Sequence, residues 1–500
     1  MKSDMKNILK FSIVFLILLI TGCSKDEWMN PAPITSVQED IMFDTKARVV
    51  AQVNGMYTSL KSGQHLGGRF FIYNDIRGDN FLPNSNNGVT NYQTWNHTVI
   101  SSTNEVQNLW GAIYTTINVV NVFLEGIEKA WDAGEISSFV TQAEYDQFRG
   151  EAYAIRALCY FDLLQMYSKP YNLNNGAGQG VPLRLKAYKS REDNNMAPST
   201  VAEVYNQILL DLNAAEPIVI STFGTSASAA ILNITRIHKN SVIALKTRVL
   251  LHMQNWAQVA IESAKIVSAS SPFVAPSGVT NKLNASYSAI FVSPHSTLES
   301  LFSLPHTAAN NPGTQNYLSH YYNIASIANE SYYLNQSSAA FTALNAADAR
   351  RVMMKLDGTK LYIQKYTDNT TRTDYSPVIR YSEVLLSRAE ALVRQGNVVT
   401  QEAVDLLNAV RTRSYSAGVY TTASFASATA LLDAILLERN IEFLGEGMRN
   451  MDLMRLGLPI PAKNGGSMGN IGVIAPTSKS YYWPVPTSEL SYNKLMTPNN

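Results

Sequence analysis

Charge is scarce in this chain. Asp, Glu, Lys and Arg make up 16% of its 500 residues, against roughly 25% in an average soluble protein. The 40 basic residues nearly balance the 39 acidic ones, for a formal net charge of +1. There is no run of Lys or Arg, which excludes the basic footprint that nucleic-acid binding needs. Cysteine is scarcer still, with two residues, Cys23 near the start and Cys159 inside a helical pattern between Leu158 and Tyr160. No disulfide framework is available, and Cys159 reads as core packing. The seven histidines are scattered without metal-ligand spacing, and no Gly-x-x-x-x-Gly-Lys loop is present to hold a phosphate. No catalytic, metal or cofactor site is therefore expected.

Apolar residues make up 46% of the chain, enough for a large core. A chain of this length usually divides into two or more domains unless helical repeats form one body. Its first residues read as an address. Lys2, Lys6 and Lys10 form a basic leader, and Phe11 to Ile20 an apolar stretch too short to span a bilayer. The stretch ends Leu19-Ile20-Thr21-Gly22-Cys23, which resembles a bacterial lipobox; an ordinary secretory signal with a chance cysteine is the alternative. Residues 1–22 are expected to be a lipoprotein signal peptide and Cys23 the lipidated mature N-terminus. Ser24-Lys25-Asp26-Glu27 is similar to the acidic signal that sends such lipoproteins to the cell surface, and Pro31 and Pro33 mark an extended tether.

Beyond the tether the apolar spacing is that of helices. Asp44 is placed to cap the first, through Val49, Val53, Met56 and Leu60. Arg69 to Val99 loses periodicity and collects Gly, Asn, Pro and aromatics, so it reads as a long loop, the kind that tends to be functional. Thr141 with Glu144 and Thr200 with Glu203 form capping boxes. The helix after the second is expected to stop before Pro217. Ser221 to Asn233 is a candidate boundary, dividing the mature chain into 23–225 and 226–500 within one continuous body. Asn240 to Val267 and Ser382 to Ser414 read as helix pairs, with Ala260 and Ala264 small enough for close approach, as in tetratricopeptide repeats. Short strands are expected at Glu299 to Leu304 and Lys360 to Tyr366. The fold class is mainly α: TPR-like helix pairs with long loops and a few short strands.

Leu431 to Arg455 combines a helical stripe with a dense row of charges. Glu446/Arg449, Arg449/Asp452 and Asp452/Arg455 are each three apart, so opposite charges meet on one face. Gly445 and Gly447 interrupt the pattern, where a kink or close backbone approach is expected. Glu438 and Glu442 have the spacing of a glycosidase carboxylate pair, but the flanking arginines hold acids ionised, which favours a scaffold. Gly465-Gly466-Ser467-Met468-Gly469 satisfies the G-x-S-x-G expression of serine hydrolases, without the strand before it and helix after it that a nucleophile elbow needs.

Glu438-Arg439, Glu442-Phe443, Glu446-Gly447, Arg449 and Asp452 to Arg455 resemble the closing motif of the SusD/RagB family, with one extra residue ahead of Glu446. Gly150 to Tyr171, the Pro377 to Leu392 stretch and the tail from Trp483 to Asn493 are similar to further motifs of that family, in the right order. The resemblance implies a SusD-like fold and an outer-membrane surface lipoprotein. Such a protein captures a nutrient oligomer, by default a glycan with a peptide as the alternative, for a SusC-like TonB-dependent transporter. A surface glycoside hydrolase and a TPR-like adaptor are the alternatives of another class.

The aromatic surplus bears on the ligand. There are 26 Tyr against 17 Phe, and many of the tyrosines fall in the aperiodic regions 69–99 and 271–375. An aromatic ring stacks on the C–H face of a sugar while amides and guanidiniums bond its hydroxyls. The resemblance implies a ligand surface built from these two segments. Side-chain chemistry then selects Asp75, Arg77, Trp95 and Asn96 from the first and Tyr317, Tyr322 and Tyr333 from the second. Trp95 is the first choice, because no helix stripe is there to bury it.

Overall fold

Two threonines open the helices around which the scaffold is built. Thr141 Oγ accepts the backbone N–H of Glu144, whose carboxylate accepts the Thr141 N–H, and Thr200 and Glu203 repeat the arrangement. Each box satisfies donors that a helix start leaves open. The computed structural model describes residues 41–188, 194–295, 297–325, 327 and 330–499. The expected signal peptide, Cys23 and the tether lie outside the described residues.

The first half contains α1 (Lys46–Leu60), α2 (Arg69–Arg77), β1 (Phe81–Pro83), α3 (Tyr92–Trp95), α4 (Asn104–Asp132), α5 (Gln142–Tyr167), α6 (Val201–Ile218), α7 (Ala227–Thr235), α8 (Lys239–His252) and α9 (Trp256–Ala264). The second contains β2 (Ser300–Leu304), α10 (Leu318–Tyr322), β3 (Tyr332–Leu334), α11 (Ala339–Ala343), β4 (Met354–Asp357), β5 (Lys360–Ile363) and β6 (Ser376–Arg380). It continues with α12 (Tyr381–Gly396), α13 (Gln401–Ser414), α14 (Ala428–Glu442), α15 (Arg449–Arg455), β7 (Lys463–Asn464), β8 (Asn470–Ile471) and α16 (Thr487–Tyr492).

Helices pack mainly on their chain neighbours. α5 lies against α4 and α6, α8 against α9, and α12 against α13 and α14, while α8 also touches α6 and α12 and so links the groups. One hydrophobic core takes in residues from Phe43 to Met496. Among the described residues the sheets are four two-stranded antiparallel ladders, β1–β3, β2–β6, β4–β5 and β7–β8. The fold is mainly α, with TPR-like helix pairs and a few short strands.

Three local expectations are corrected. Thr45, not Asp44, caps α1; the Asp44 carboxylate instead binds Arg48 at 2.6 Å. α6 takes in Pro217 and ends with the next residue. The 69–99 stretch is not all loop, because its first nine residues form α2, every one of them buried. A helix buried on all sides has no apolar stripe, so periodicity cannot reveal it. The glycine break behaves as expected. Gly445 and Gly447 adopt φ of 82° and 71° between α14 and α15, and a Cβ on Gly447 would lie 2.7 Å from Phe71 Cα.

Candidate functional site

The two aperiodic regions meet, and one arginine and one ladder join them. β1 pairs with β3 in the register Phe81↔Leu334, Leu82↔Tyr333 and Pro83↔Tyr332. Arg69, at the start of α2, is buried and donates to Asn316 Oδ1 at 2.8 Å, Asn91 Oδ1 at 3.0 Å and the Gln315 carbonyl at 3.0 Å. Gly68 just before it lets the 316 backbone approach so closely that a Cβ would sit 1.8 Å from the Asn316 carbonyl oxygen.

An aromatic band runs along the second segment. Tyr317 meets His320 edge-on at 5.4 Å, His320 meets Tyr321 at 5.0 Å, and Tyr321 meets Tyr332 at 6.4 Å. Strand alternation then turns Tyr332 inward and Tyr333 outward, and Tyr333 meets the Tyr362 ring at 6.2 Å. Both half-buried tyrosines carry a cation over one ring face: Arg372 at 4.8 Å from Tyr317 and Lys360 Nζ at 4.7 Å from Tyr333. Lys360 Nζ also donates to Asn84 Oδ1 at 2.5 Å, tying the first segment to the band.

Of the seven expected contact residues, Tyr317, Tyr333 and Asn96 keep solvent-accessible surface. Asn96 bonds within its own turn, its Oδ1 accepting the Thr98 N–H at 3.2 Å. The other four are corrected, because each is fully buried and offers a ligand no surface. Trp95 lies in α3, a single turn that tucks the indole beneath β1. Its Nε1 donates to the Phe81 carbonyl at 3.0 Å, Tyr92 stacks on it at 5.8 Å, and Lys463 Nζ lies 5.1 Å from the ring. Arg77 donates from Nη2 to the Tyr481 carbonyl at 2.7 Å, and burial lowers its guanidinium pKa to about 10. Asp75 accepts the Tyr322 hydroxyl at 2.5 Å. Burial raises its carboxyl to about 7, against the opposing hydrogen bonds from Tyr322 and the Gly447 N–H. Tyr322 packs on Phe81 at 5.3 Å and Tyr366 at 5.7 Å. These four form the wall behind the two loops. Arg69, Arg372 and Lys360 were not among the expected residues, because side-chain chemistry alone does not separate them from Arg77, the cation that was chosen.

Glu438 and Glu442 are buried in an ion cluster. Arg350 Nη1 bridges them at 2.6 and 3.2 Å, Arg411 reaches Glu438 at 3.0 Å, and Arg380 and Arg413 reach Glu442 at 3.0 and 2.5 Å. Glu442 is held well below the usual carboxylate range by Arg413, Arg380 and Arg350, which outweigh its burial. Both acids are fully buried and held by arginines, so the geometry is that of a scaffold and not of an acid–base pair. Gly466–Met468 is a 3-10 turn closing the β7–β8 hairpin, with Ser467 exposed, and no helix follows it. Among the described residues no cluster of His, Cys, Asp or Glu is arranged to hold a metal.

Comparison with known proteins places this architecture. Residues 305–500 match the model of the SusD family, and residues 30–251 match a family described as starch-binding, associating with outer membrane. SusD-like protein P2 of Formosa agariphila is 23% identical over 98% of this chain and 99% of its own. The solved structure of a laminarin binding SusD-like protein superposes with a TM-score of 0.68 at 20% identity, over 91% of this chain and 99% of that one. A SusD superfamily protein from Bacteroides fragilis superposes with a TM-score of 0.79 at 30% identity, over 91% of this chain and 100% of that one. With family models on both halves and a relative at that identity matched end to end, the chain belongs to the SusD family.

Proposed function

We propose that this protein is a non-catalytic carbohydrate-binding lipoprotein of the outer membrane. It is anchored through Cys23, faces the cell exterior, and passes its ligand to a SusC-like TonB-dependent transporter. The observation that carries the reading is the aromatic band from Tyr317 to Tyr362, assembled where two distant loop segments pair. Tyr317 and Tyr333 supply ring faces for the C–H surface of a sugar, and Asn96, Arg372 and Lys360 supply hydrogen bonds to its hydroxyls. Asp75, Arg77, Trp95 and Tyr322 act from behind, keeping the loops in place. The starch-binding description of the matched family and the laminarin-binding fold neighbour support a glycan over a peptide.

The test is calorimetry with starch and laminarin oligosaccharides on the parent, Tyr317→Ala and Tyr333→Ala. Each lost ring is expected to cost roughly 1–3 kcal/mol, about one to two decades in affinity. Unchanged affinity in folded variants removes the loop face as the site. Binding of peptides alone replaces the ligand class, and release of shortened sugars removes the non-catalytic reading. Cys23→Ala is expected to leave the membrane fraction; retention at the parent's level overturns the lipid anchor.

A further inference from the structure

A second concave site lies on the opposite side of α4 from the loop face. Glu105, whose charge acts on the Arg69 network, and Tyr114 are nine residues apart. That spacing is roughly 13 Å along the helix and about half a turn around it. On the Tyr114 side, α4, the side chains of Arg184, Tyr188 and Asn194, and α16 line a cavity of about 420 Å³, within the roughly 300–1,000 Å³ range of small-molecule sites.

The lining has a definite chemistry. Trp110, Tyr114, Tyr188 and Tyr492 bring four rings to it. Arg184 lies 5.6 Å from the Tyr114 ring and 4.5 Å from the Tyr188 ring, and its Nη2 pairs with Glu489 Oε1 at 2.9 Å. Trp110 Nε1 donates to the other Glu489 oxygen at 3.2 Å. The ion pair is nearly buried, with side chains 8% and 10% exposed, whereas Tyr492 stands at the rim, 70% exposed. Glu489 disfavours an anion and Arg184 a cation, so the cavity selects a neutral ligand. Its surface combines aromatic faces with a fixed donor and a fixed acceptor, the pairing that a pyranose ring matches with its C–H face and its hydroxyls.

We infer that this cavity is a second carbohydrate-binding site, which takes a short neutral sugar end between the Tyr492 rim and the Arg184–Glu489 pair. The inference rests on the lining chemistry and not on the loop face, and the variants separate the two. Gly111 lines the cavity on α4, and a Cβ there would meet nothing within 4 Å. Gly111→Phe therefore adds a ring to the cavity lining at a position where the backbone has room for a Cβ. Tyr492→Ala removes an exposed rim ring at little cost to folding.

The probes are maltotriose, cellotriose and laminaritriose, followed by saturation-transfer nuclear magnetic resonance with thermal unfolding as a control. At least one trisaccharide is expected to bind the parent, with Gly111→Phe weakening it by at least about tenfold and Tyr492→Ala by a smaller factor. That binding is expected to survive Tyr317→Ala. If Tyr317→Ala also leaves binding intact for every glycan tested, the loop-face reading fails while this one stands. The inference is overturned if none of the three sugars binds the parent, or if binding persists undiminished in folded Gly111→Phe. Should Gly111→Phe fail to fold, unchanged binding in Tyr492→Ala overturns it.

Discussion

Tyr322 donates its hydroxyl to Asp75 at 2.5 Å, and both residues are fully buried. The contact joins α2 to α10, and so links the wall of the candidate site to the segment that displays Tyr317.

Asp75 makes this link sensitive to pH. Its folded pKa of about 7 lies above the ordinary 3.8, chiefly through burial. Between those values the folded state keeps a proton that the unfolded state releases. Stability therefore falls as pH rises across that window, by up to about 1.4 kcal/mol per pH unit, and levels off above it. Asp75→Asn keeps an acceptor for Tyr322 and cannot ionise. It is expected to flatten this slope in urea unfolding and to be the more stable protein above the window. A parallel pH profile in parent and variant would show that Asp75 does not titrate there.

Trp95→Ala tests the core assignment. Removing a fully buried indole leaves a cavity beneath β1 and the Phe81 carbonyl without its donor. The expected loss is about 3–5 kcal/mol in chemical unfolding. A variant as stable as the parent would return Trp95 to the surface.

Trp95 also marks how far the sequence was legible. The helix pairs were readable because each buries one face and shows another, and the capping boxes of Thr141 and Thr200 fixed two starts. The two segments proposed as the site showed in the sequence only as a loss of periodicity. Individual contact residues were not readable, because the same loss of pattern describes an exposed loop and a short turn buried on every side. α2 and Trp95 are the second kind. Tyr322 and Tyr333 are both loop-region tyrosines, and only the β1–β3 register and the docking of α10 separate the buried ring from the accessible one.

Three charges of the Leu431 to Arg455 stretch, Glu438, Glu442 and Glu446, belong to a larger buried set. Arg350, Lys365, Arg380, Arg411 and Arg413 face Glu299, Asp348, Glu438, Glu442 and Glu446, five cations against five carboxylates. Such a set tolerates loss of a member poorly, since the partner charges stay buried. Glu442→Gln withdraws one carboxylate from Arg350, Arg380 and Arg413 together, and is expected to cost about 3–5 kcal/mol. Because the folded pKa of Glu442 is depressed, its contribution is present above the ordinary value of 4.5 and is lost as pH falls below it. The deficit of the variant in thermal unfolding should therefore narrow in acid. A deficit that is small at neutral pH would mean the remaining carboxylates suffice.

Arg69 yields the prediction that bears most directly on the site. Its planar fork reaches Asn316, Asn91 and the Gln315 carbonyl at once, from a single buried side chain. A lysine ammonium is a compact charge on a flexible stem and cannot span the same three acceptors. Arg69→Lys keeps the charge and is expected to lose about 1–3 kcal/mol, as for hydrogen bonds from a charged group. The effect should be local. Hydrogen exchange is expected to quicken at amides of 88–91 and 314–317, while the α5 and α12 cores stay protected. Tyr317 follows Asn316 directly, so ligand affinity should fall together with that protection. Equal slowing or quickening across the whole chain would mean that Arg69 supports the fold in general, and that β1–β3 with the Tyr322–Asp75 and Lys360–Asn84 contacts holds the two loops together.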